Sequence, residues 1–106
     1  MFRIVDMTVN SIVFDPVAAS EALNCTARPH GNCRASGIAR IDDRLLVFLE
    51  EDANAFVFRF APLEDGPSAA EVAAEVKARY YAGFSTVGVF SHANRNWALF
   101  AMNLDK

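Results

Sequence analysis

The sequence lacks the long apolar run that a membrane-spanning helix requires. Its apolar stretches are short, and none approaches the ~20 residues that cross a bilayer. The beginning of the chain also lacks a basic segment followed by an apolar one, which is the pattern of a secretory signal peptide. We therefore expect a protein of the bacterial cytoplasm that has no membrane partner.

Positive charge is scarce as well. The 10 Lys and Arg residues are outnumbered by 13 Asp and Glu residues, and the net charge is -3. Because phosphate contacts require a cationic surface, this balance argues against nucleic acid as a partner. A helix, three strands and a second helix also occur in this order in double-stranded RNA-binding modules. Those modules need a basic start to the second helix, whereas here it reads Ser68-Ala69-Ala70-Glu71, with Lys77 as the only lysine of that helix.

Complete catalytic motifs are absent too. The sequence has no Gly-rich phosphate loop, no G-x-S-x-G elbow and no H-E-x-x-H helix. Its two cysteines, Cys25 and Cys33, are expected to be reduced in the cytoplasm, although an oxidising compartment would allow a bridge between them. The sequence therefore predicts no cofactor and no catalytic residue, and it favours a non-enzymatic protein over an enzyme.

Apolar and aromatic residues are plentiful. Hydrophobic residues make up 53% of the 106-residue chain, charged residues make up 22%, and nine residues are Phe. The length fits one domain, residues 1–106, with a core of its own. The apolar excess over a typical soluble domain suggests that something outside the chain covers part of its surface.

The first third of the chain predicts two short strands and a helix. Phe2, Ile4 and Val5 form one β-favouring patch, and Val9 to Phe14 forms a second. Asp15 and Pro16 then supply a cap and a first position for a short helix that ends at Leu23. Asn24 is the expected stop, and a long loop, residues 24–35, follows.

Three antiparallel strands are predicted next, over 36–41, 44–51 and 55–61, because tight polar turns separate them. In the third strand Phe56, Phe58 and Phe60 share one face.

A longer helix begins at Ser68, where Ser68 and Glu71 fit a capping box, and ends near Gly83. Its expected buried stripe consists of Ala69, Val72, Ala73, Val76 and Tyr80. A hairpin follows, with strands over 84–91 and 96–104. Both faces of its last strand are apolar, so this strand is either central with cover on both sides or buried in an oligomer.

The predicted fold class is therefore α+β, a mostly antiparallel sheet of five to six strands with one long and one short helix. The order strand, helix, strand, strand occurs twice, which allows a tandem repeat of residues 1–54 and 55–106. Two helices on one face of such a sheet would leave the other face apolar and open. We expect homodimerisation to cover that face.

The function favoured by these features is a self-associating binding or accessory module, most simply a homodimer. Its interface would use a sheet face or an edge strand with large apolar anchors. The predicted anchors are Phe56, Phe58, Phe60, Trp97, Leu99 and Phe100, and Phe48 joins them if the register allows.

The alternative is a small enzyme or a sensor of an anionic or other small-molecule ligand, built on the loop 25–34. That loop concentrates Arg28, His30, Cys33 and Arg34, which are candidates for anion binding or for a reactive thiol. Pairing of the arginines with nearby acidic residues is the competing interpretation. A metal site would join Cys25, His30 and Cys33, with His92 as a fourth ligand, but the spacing does not form a recognised set, so no metal is predicted. A flat-ligand pocket of Trp97, Tyr80, Tyr81 and His92 competes with simple packing.

Overall fold

A computed structural model of the chain describes residues 2–64 and 68–105. Within these ranges it contains six β-strands, three α-helices and one turn of 3-10 helix at Arg28–His30. The strands are β1 Phe2–Thr8, β2 Cys33–Ile41, β3 Arg44–Glu51, β4 Phe56–Pro62, β5 Ser85–His92 and β6 Arg95–Asn103. The helices are α1 Val9–Phe14, α2 Pro16–Ala27 and α3 Ala69–Tyr81. None of the described helices combines the length and the apolar character needed to cross a bilayer.

The strands form two antiparallel sheets, which confirms the α+β class. The first sheet has the order β1-β3-β2, and the second has the order β4-β6-β5. This division differs from the expected single sheet of five to six strands. The two sheets separate between β3 and β4, because β4 pairs with β6 on one edge and contacts α2 on the other.

The second β-favouring patch, Val9 to Phe14, is a helix and not the predicted strand. The hydroxyl of Thr8 caps α1 by accepting a hydrogen bond from the backbone N–H of Ser11 at 3.3 Å. Val9 and Ile12, three residues apart, place both side chains in the core. Burial of this pair outweighs the β propensity of the patch, which is a weak local preference.

Helix α2 continues to Ala27 and does not stop at Leu23 as predicted. Asp15 caps it as expected, accepting from the N–H of Ala18 at 3.1 Å. The predicted loop 24–35 therefore shrinks to a 3-10 turn and two residues before β2. Asn24 does not end the helix, because its side chain bonds the neighbouring strand β4. The described chain thus has two long helices and one short helix, whereas one long helix and one short helix were predicted.

Helix α3 begins as predicted but is rotated relative to the expected stripe. Ser68 accepts a hydrogen bond from the N–H of Glu71 at 3.2 Å, and its hydroxyl donates to the Glu71 carboxylate at 2.7 Å. However, Tyr80 is 65% exposed, whereas Glu75 is only 7% exposed. Glu75 tolerates burial because it accepts from the N–H of Glu64 at 2.7 Å and from Arg79 at 3.4 Å.

The main core lies between the facing sides of the two sheets and is completed by α1 and α2. Strand β3 contributes alternate residues to it, and β4, β5 and β6 contribute the opposing side chains. Its members include Leu45, Val47, Leu49, Phe58, Phe60, Phe90, Trp97 and Leu99. A smaller cluster under α3 joins Ala98, Phe100 and Leu63 to Val72 and Phe84. Strand β6 is therefore central with cover on both sides, which was one of the two predicted outcomes.

The two sheets approach each other most closely at β2 and β5. A Cβ atom placed on Gly88 would lie 2.5 Å from Cγ1 of Ile38, so a side chain at residue 88 has no room. Nearby, the guanidinium of Arg40 donates to the backbone carbonyl of Ser91. Edge strands β2 and β5 therefore shield each other, whereas the free edge of β1 has no strand beside it among the described residues.

Candidate functional site

The predicted interface anchors lie mostly inside the chain. Five of them are buried, with exposed fractions of 5% or less: Phe58, Phe60, Trp97, Leu99 and Phe100. Phe56 is half-buried at the start of β4. These side chains pack the two core clusters, so the surface available for a partner is formed by other residues.

Of the four residues proposed for ligand binding, the three with described side chains, Arg28, Cys33 and Arg34, do not form one site. Arg34 pairs with Glu50 at 2.6 Å and with Asp52 at 3.5 Å, as the competing interpretation expected. Cys33 is 4% exposed, and both Cys33 and the exposed Cys25 are free thiols. The backbone of His30 belongs to the 3-10 turn, and its side chain lies outside the described part of the structure. Arg28 is exposed at the end of α2.

Two further predicted constellations are also separated. Among the described side chains, which do not include that of His30, no three from His, Cys, Asp or Glu gather closely enough to hold a metal ion. Tyr80 and Tyr81 lie beside Ser85 at the start of β5, whereas His92 ends that strand. Trp97 is buried in the main core, so these four residues do not line one pocket.

The first sheet exposes an apolar surface, which we call the open face. Because Leu45, Val47 and Leu49 point into the core, the alternation of β3 turns Leu46 and Phe48 outward. The pairing of β1 with β3 places Ile4 beside Phe48. The open face comprises Phe2, Ile4, Leu46 and Phe48, with Phe2 60% and Ile4 50% exposed and the rings of Phe2 and Phe48 stacked at 6.2 Å.

Ion pairs border the open face at both ends. At one end the guanidinium of Arg44 donates two hydrogen bonds to Asp6, at 2.9 and 3.0 Å. The hydrogen bond to Asp6, and then its negative charge, raise the pKa of Arg44 above its ordinary value. At the other end Arg34 pairs with Glu50. Each of these arginines is paired with at least one carboxylate, so the open face has an apolar centre and a rim of ion pairs.

A second feature lies where α2 runs beside β4. The hydroxyl of Ser20 accepts from the N–H of Phe60 at 2.8 Å. The amide of Asn24 accepts from the N–H of Phe58 at 2.9 Å and donates to its carbonyl at 3.0 Å. Two helix side chains thus take the place of a neighbouring strand along this edge.

A cleft of about 280 Å³ opens where this row of hydrogen bonds ends. One wall comes from the end of α2 and the segment that follows it, and the other comes from the start of β4 and from Leu104. The lining residues are Asn24, Ala27, Arg28, Gly31, Asn32, Cys33, Ala55, Phe56, Val57, Phe58 and Leu104. Among the predicted ligand residues whose side chains are described, Arg28 and Cys33 line this cleft and Arg34 does not.

Sequence reasoning missed the roles of Ser20 and Asn24, because Asn24 was interpreted as a helix stop. The available signal was the spacing of Ser20, Asn24 and Arg28, which recurs every four residues and marks one face of a helix. For the open face, the available signal was the alternation of Phe2 and Ile4, which places both side chains on one face of a strand. Comparison of the chain with family models, with curated proteins and with solved structures found no match.

Proposed function

We propose that the protein is a non-enzymatic module that self-associates through the open face of its first sheet. Two copies would pack face to face about a two-fold axis, with Phe2, Ile4 and Phe48 at the centre of the contact. The observation that carries the proposal is the exposure of Phe2 and Ile4, beside the half-buried Phe48, on a sheet face that no described helix covers. Large exposed apolar patches of this kind mark interaction surfaces.

We also infer that the two halves, 1–54 and 55–106, are copies of one strand–helix–strand–strand unit. In each half the first strand pairs with the third, which lies in the middle. Each hairpin has a bulge, which ends at Gly37 in the first half and at Gly88 in the second. Gly37 lies opposite Phe48, and Gly88 lies opposite Leu99. Each residue of the second pair therefore follows its counterpart in the first pair by 51 residues (88 − 37 and 99 − 48).

This inference supports the choice of the open face. A shift of 51 residues matches β3 to β6, and the pairing partners of these two strands then match β1 to β4. Each residue of the open face thereby has a counterpart in the second half. Phe2, Ile4, Leu46 and Phe48 correspond to Phe58, Phe60, Trp97 and Leu99. The counterparts are all buried against the first half of the same chain. The sheet face that is covered in one unit is thus uncovered in the other, and a second copy is the partner that would complete it.

The charge and the size of the open face fit a second copy that binds weakly. The chain has a net charge of -3, but both arginines at the rim of this face are paired with carboxylates, which limits the repulsion between two copies there. Ordinary strand spacings give the face an outline of roughly 14 Å by 24 Å. An area of this order lies at the small end of protein interfaces, so we expect a dimer that dissociates at about 10–100 µM.

Sedimentation of the full chain tests the proposal. The wild-type protein should pass from an 11.6 kDa species to one of twice that mass as its concentration rises. Ile4→Asp should remain monomeric, because the new carboxylate would be buried without a partner at the centre of the contact. Val17→Asp is the matched control, since Val17 is exposed on α2, away from the open face, and it should dimerise as the wild type does. A wild-type chain that stays at 11.6 kDa up to about 500 µM, well above that dissociation range, would falsify self-association. Equal loss of the dimer in both variants would remove the open face from the proposal.

A further inference from the structure

The hydrogen bonds between α2 and β4 follow a regular step. Ser20 meets Phe60, and Asn24, four residues later in the helix, meets Phe58, two residues earlier in the strand. Four helical residues rise by about 6.0 Å and two strand residues by about 6.8 Å, so helix and strand stay nearly in step. The next pair in this series is Arg28 with Phe56.

Arg28 and Phe56 occupy the positions that the series predicts. Arg28 retains helical backbone angles, φ -51° and ψ -47°, and both residues line the cleft. The pairing of β4 with β6 has no bulge, so the N–H of Phe56 points to the same edge as the N–H groups of Phe58 and Phe60. That edge faces the cleft.

The third pair differs from the first two in its chemistry. Serine and asparagine offer an oxygen that accepts from the strand, whereas a guanidinium has donors only. Arg28 therefore cannot accept a hydrogen bond from the Phe56 N–H. Among the described residues, no carboxylate forms an ion pair with Arg28. Two kinds of donor, a guanidinium and a backbone N–H, thus border one cleft without an acceptor from the described chain.

We propose that this cleft binds a small organic carboxylate. One carboxylate oxygen accepts from the Phe56 N–H, and the Arg28 guanidinium binds the same carboxylate. The apolar part of the ligand packs against Ala27, Ala55 and Leu104, which line the cleft beside these donors. A volume of about 280 Å³ is at the lower limit for ligand sites, so the ligand has few heavy atoms. This site does not depend on self-association.

A monoanion suits the cleft better than a phosphate dianion. Arg28 is the one cationic side chain among the described residues that line it. The carboxylate of Asp105 accepts from the N–H of Ala55 at 2.6 Å, which places a negative charge beside the cleft wall. A second negative charge on the ligand would therefore have no partner and would be repelled.

Cys33 serves as a wall of the cleft and not as a nucleophile in this arrangement. Its Sγ lies 3.7 Å from the carbonyl oxygen of Gly31 and 3.9 Å from that of Ala27. The Cys33 thiol donates its hydrogen bond to these carbonyls, and no base lies beside the thiol among the described groups. The proposed site therefore binds its ligand without a covalent step.

Nuclear magnetic resonance titration of the 15N-labelled full chain tests the site. Sodium butanoate should cause saturable shifts of the Phe56 amide and the Arg28 Nε–H resonances. Sodium phosphate at matched ionic strength should bind more weakly. Arg28→Gln should weaken butanoate binding by roughly tenfold or more, because a charged hydrogen-bond donor is lost. Arg34→Gln is the control, because Arg34 is already paired with Glu50 and Asp52, and it should bind as the wild type does.

Three results would overturn the assignment. One is the absence of a saturable shift at Phe56. Another is butanoate binding by Arg28→Gln that equals the wild type while its amide spectrum remains dispersed, which shows that the variant is folded. The third is phosphate binding as tight as that of butanoate, which would refute the carboxylate class. Arg28→Lys separates charge from geometry, and we expect it to restore only part of the affinity, because lysine cannot bind both oxygens in a fork.

Discussion

The side-chain amide of Asn24 bonds both backbone groups of Phe58. Its Oδ1 accepts from the Phe58 N–H at 2.9 Å, and its Nδ2 donates to the Phe58 carbonyl at 3.0 Å. Asparagine thereby supplies the two bonds that a neighbouring strand would make at that residue. Because α2 occupies this edge of β4, neither edge strand of the first sheet can add to it, which keeps the two sheets separate.

Replacement of Asn24, a half-buried residue of α2, should destabilise the fold. We expect Asn24→Ala to lower the free energy of unfolding by about 1–3 kcal/mol, since two bonds to the backbone of β4 are lost. Urea unfolding with an unchanged m value measures this effect. Asn10→Ala is the control, because Asn10 is exposed on α1 and no hydrogen bond of its side chain is described. A loss for Asn24→Ala no larger than that for Asn10→Ala would contradict the role of this pair.

Gly88 should be intolerant of a side chain, whereas Gly37 should accept one. In Gly88→Ala the new Cβ meets Cγ1 and Cδ1 of Ile38 at 2.5 and 2.8 Å, and overpacking of this kind costs about 1–3 kcal/mol. In Gly37→Ala the nearest atom is Cδ2 of Phe48 at 3.8 Å, an ordinary contact. Thermal or urea unfolding of the two variants measures the difference.

A double substitution identifies the cause of the Gly88 effect. Ile38→Ala removes both crowding atoms and leaves Cβ of Ile38 at 3.8 Å from the new methyl group. The pair Gly88→Ala and Ile38→Ala should therefore be less destabilised than the sum of the single variants. Strict additivity would show that the β2–β5 contact is not where the strain arises.

The two cysteines should differ sharply in reactivity. Cys25 is exposed on α2, whereas Cys33 is buried. A thiol reagent should therefore modify Cys25 at the rate of a free thiol, and Cys33 only when the chain opens. Cys25→Ser should abolish the fast phase, and Cys33→Ser should leave it. A Cys33 that reacts orders of magnitude faster than a free thiol would instead favour the enzyme interpretation of the 25–34 segment.

The sequence predicted those elements whose signals are local. The capping residues Asp15 and Ser68 mark the starts of α2 and α3, and short polar turns mark the hairpins. The patch Val9 to Phe14 was assigned incorrectly, because its β propensity is outweighed by the burial of Val9 and Ile12. The predicted buried stripe of α3 was incorrect for a related reason. Glu75 is buried because its hydrogen-bond partners are distant in sequence or on the next helical turn.

The candidate sites were predicted less well than the elements. Arg28 and Cys33 do line one cleft, but the other wall comes from β4 and Leu104, and nothing in the spacing of the loop residues indicates those partners. The aromatic residues Phe58, Phe60, Trp97 and Phe100 were predicted to be interface anchors, and the structure buries them within the chain. Which aromatic residues remain on the surface depends on how the sheets stack, a long-range relationship that alternation along one strand cannot fix.

By itself the sequence determined an acidic α+β chain with antiparallel hairpins, two capped helices and more apolar side chains than one small core requires. These features follow from composition, period and capping, which act over a few residues. Only the tertiary structure decided that α2 covers the edge of β4, that the six strands form two sheets, and that Phe2 and Ile4 remain exposed while Phe58 and Phe60 are buried. The physical reason is that edge protection and face-to-face packing depend on contacts between distant segments, and a residue's burial depends on what the rest of the chain places against it.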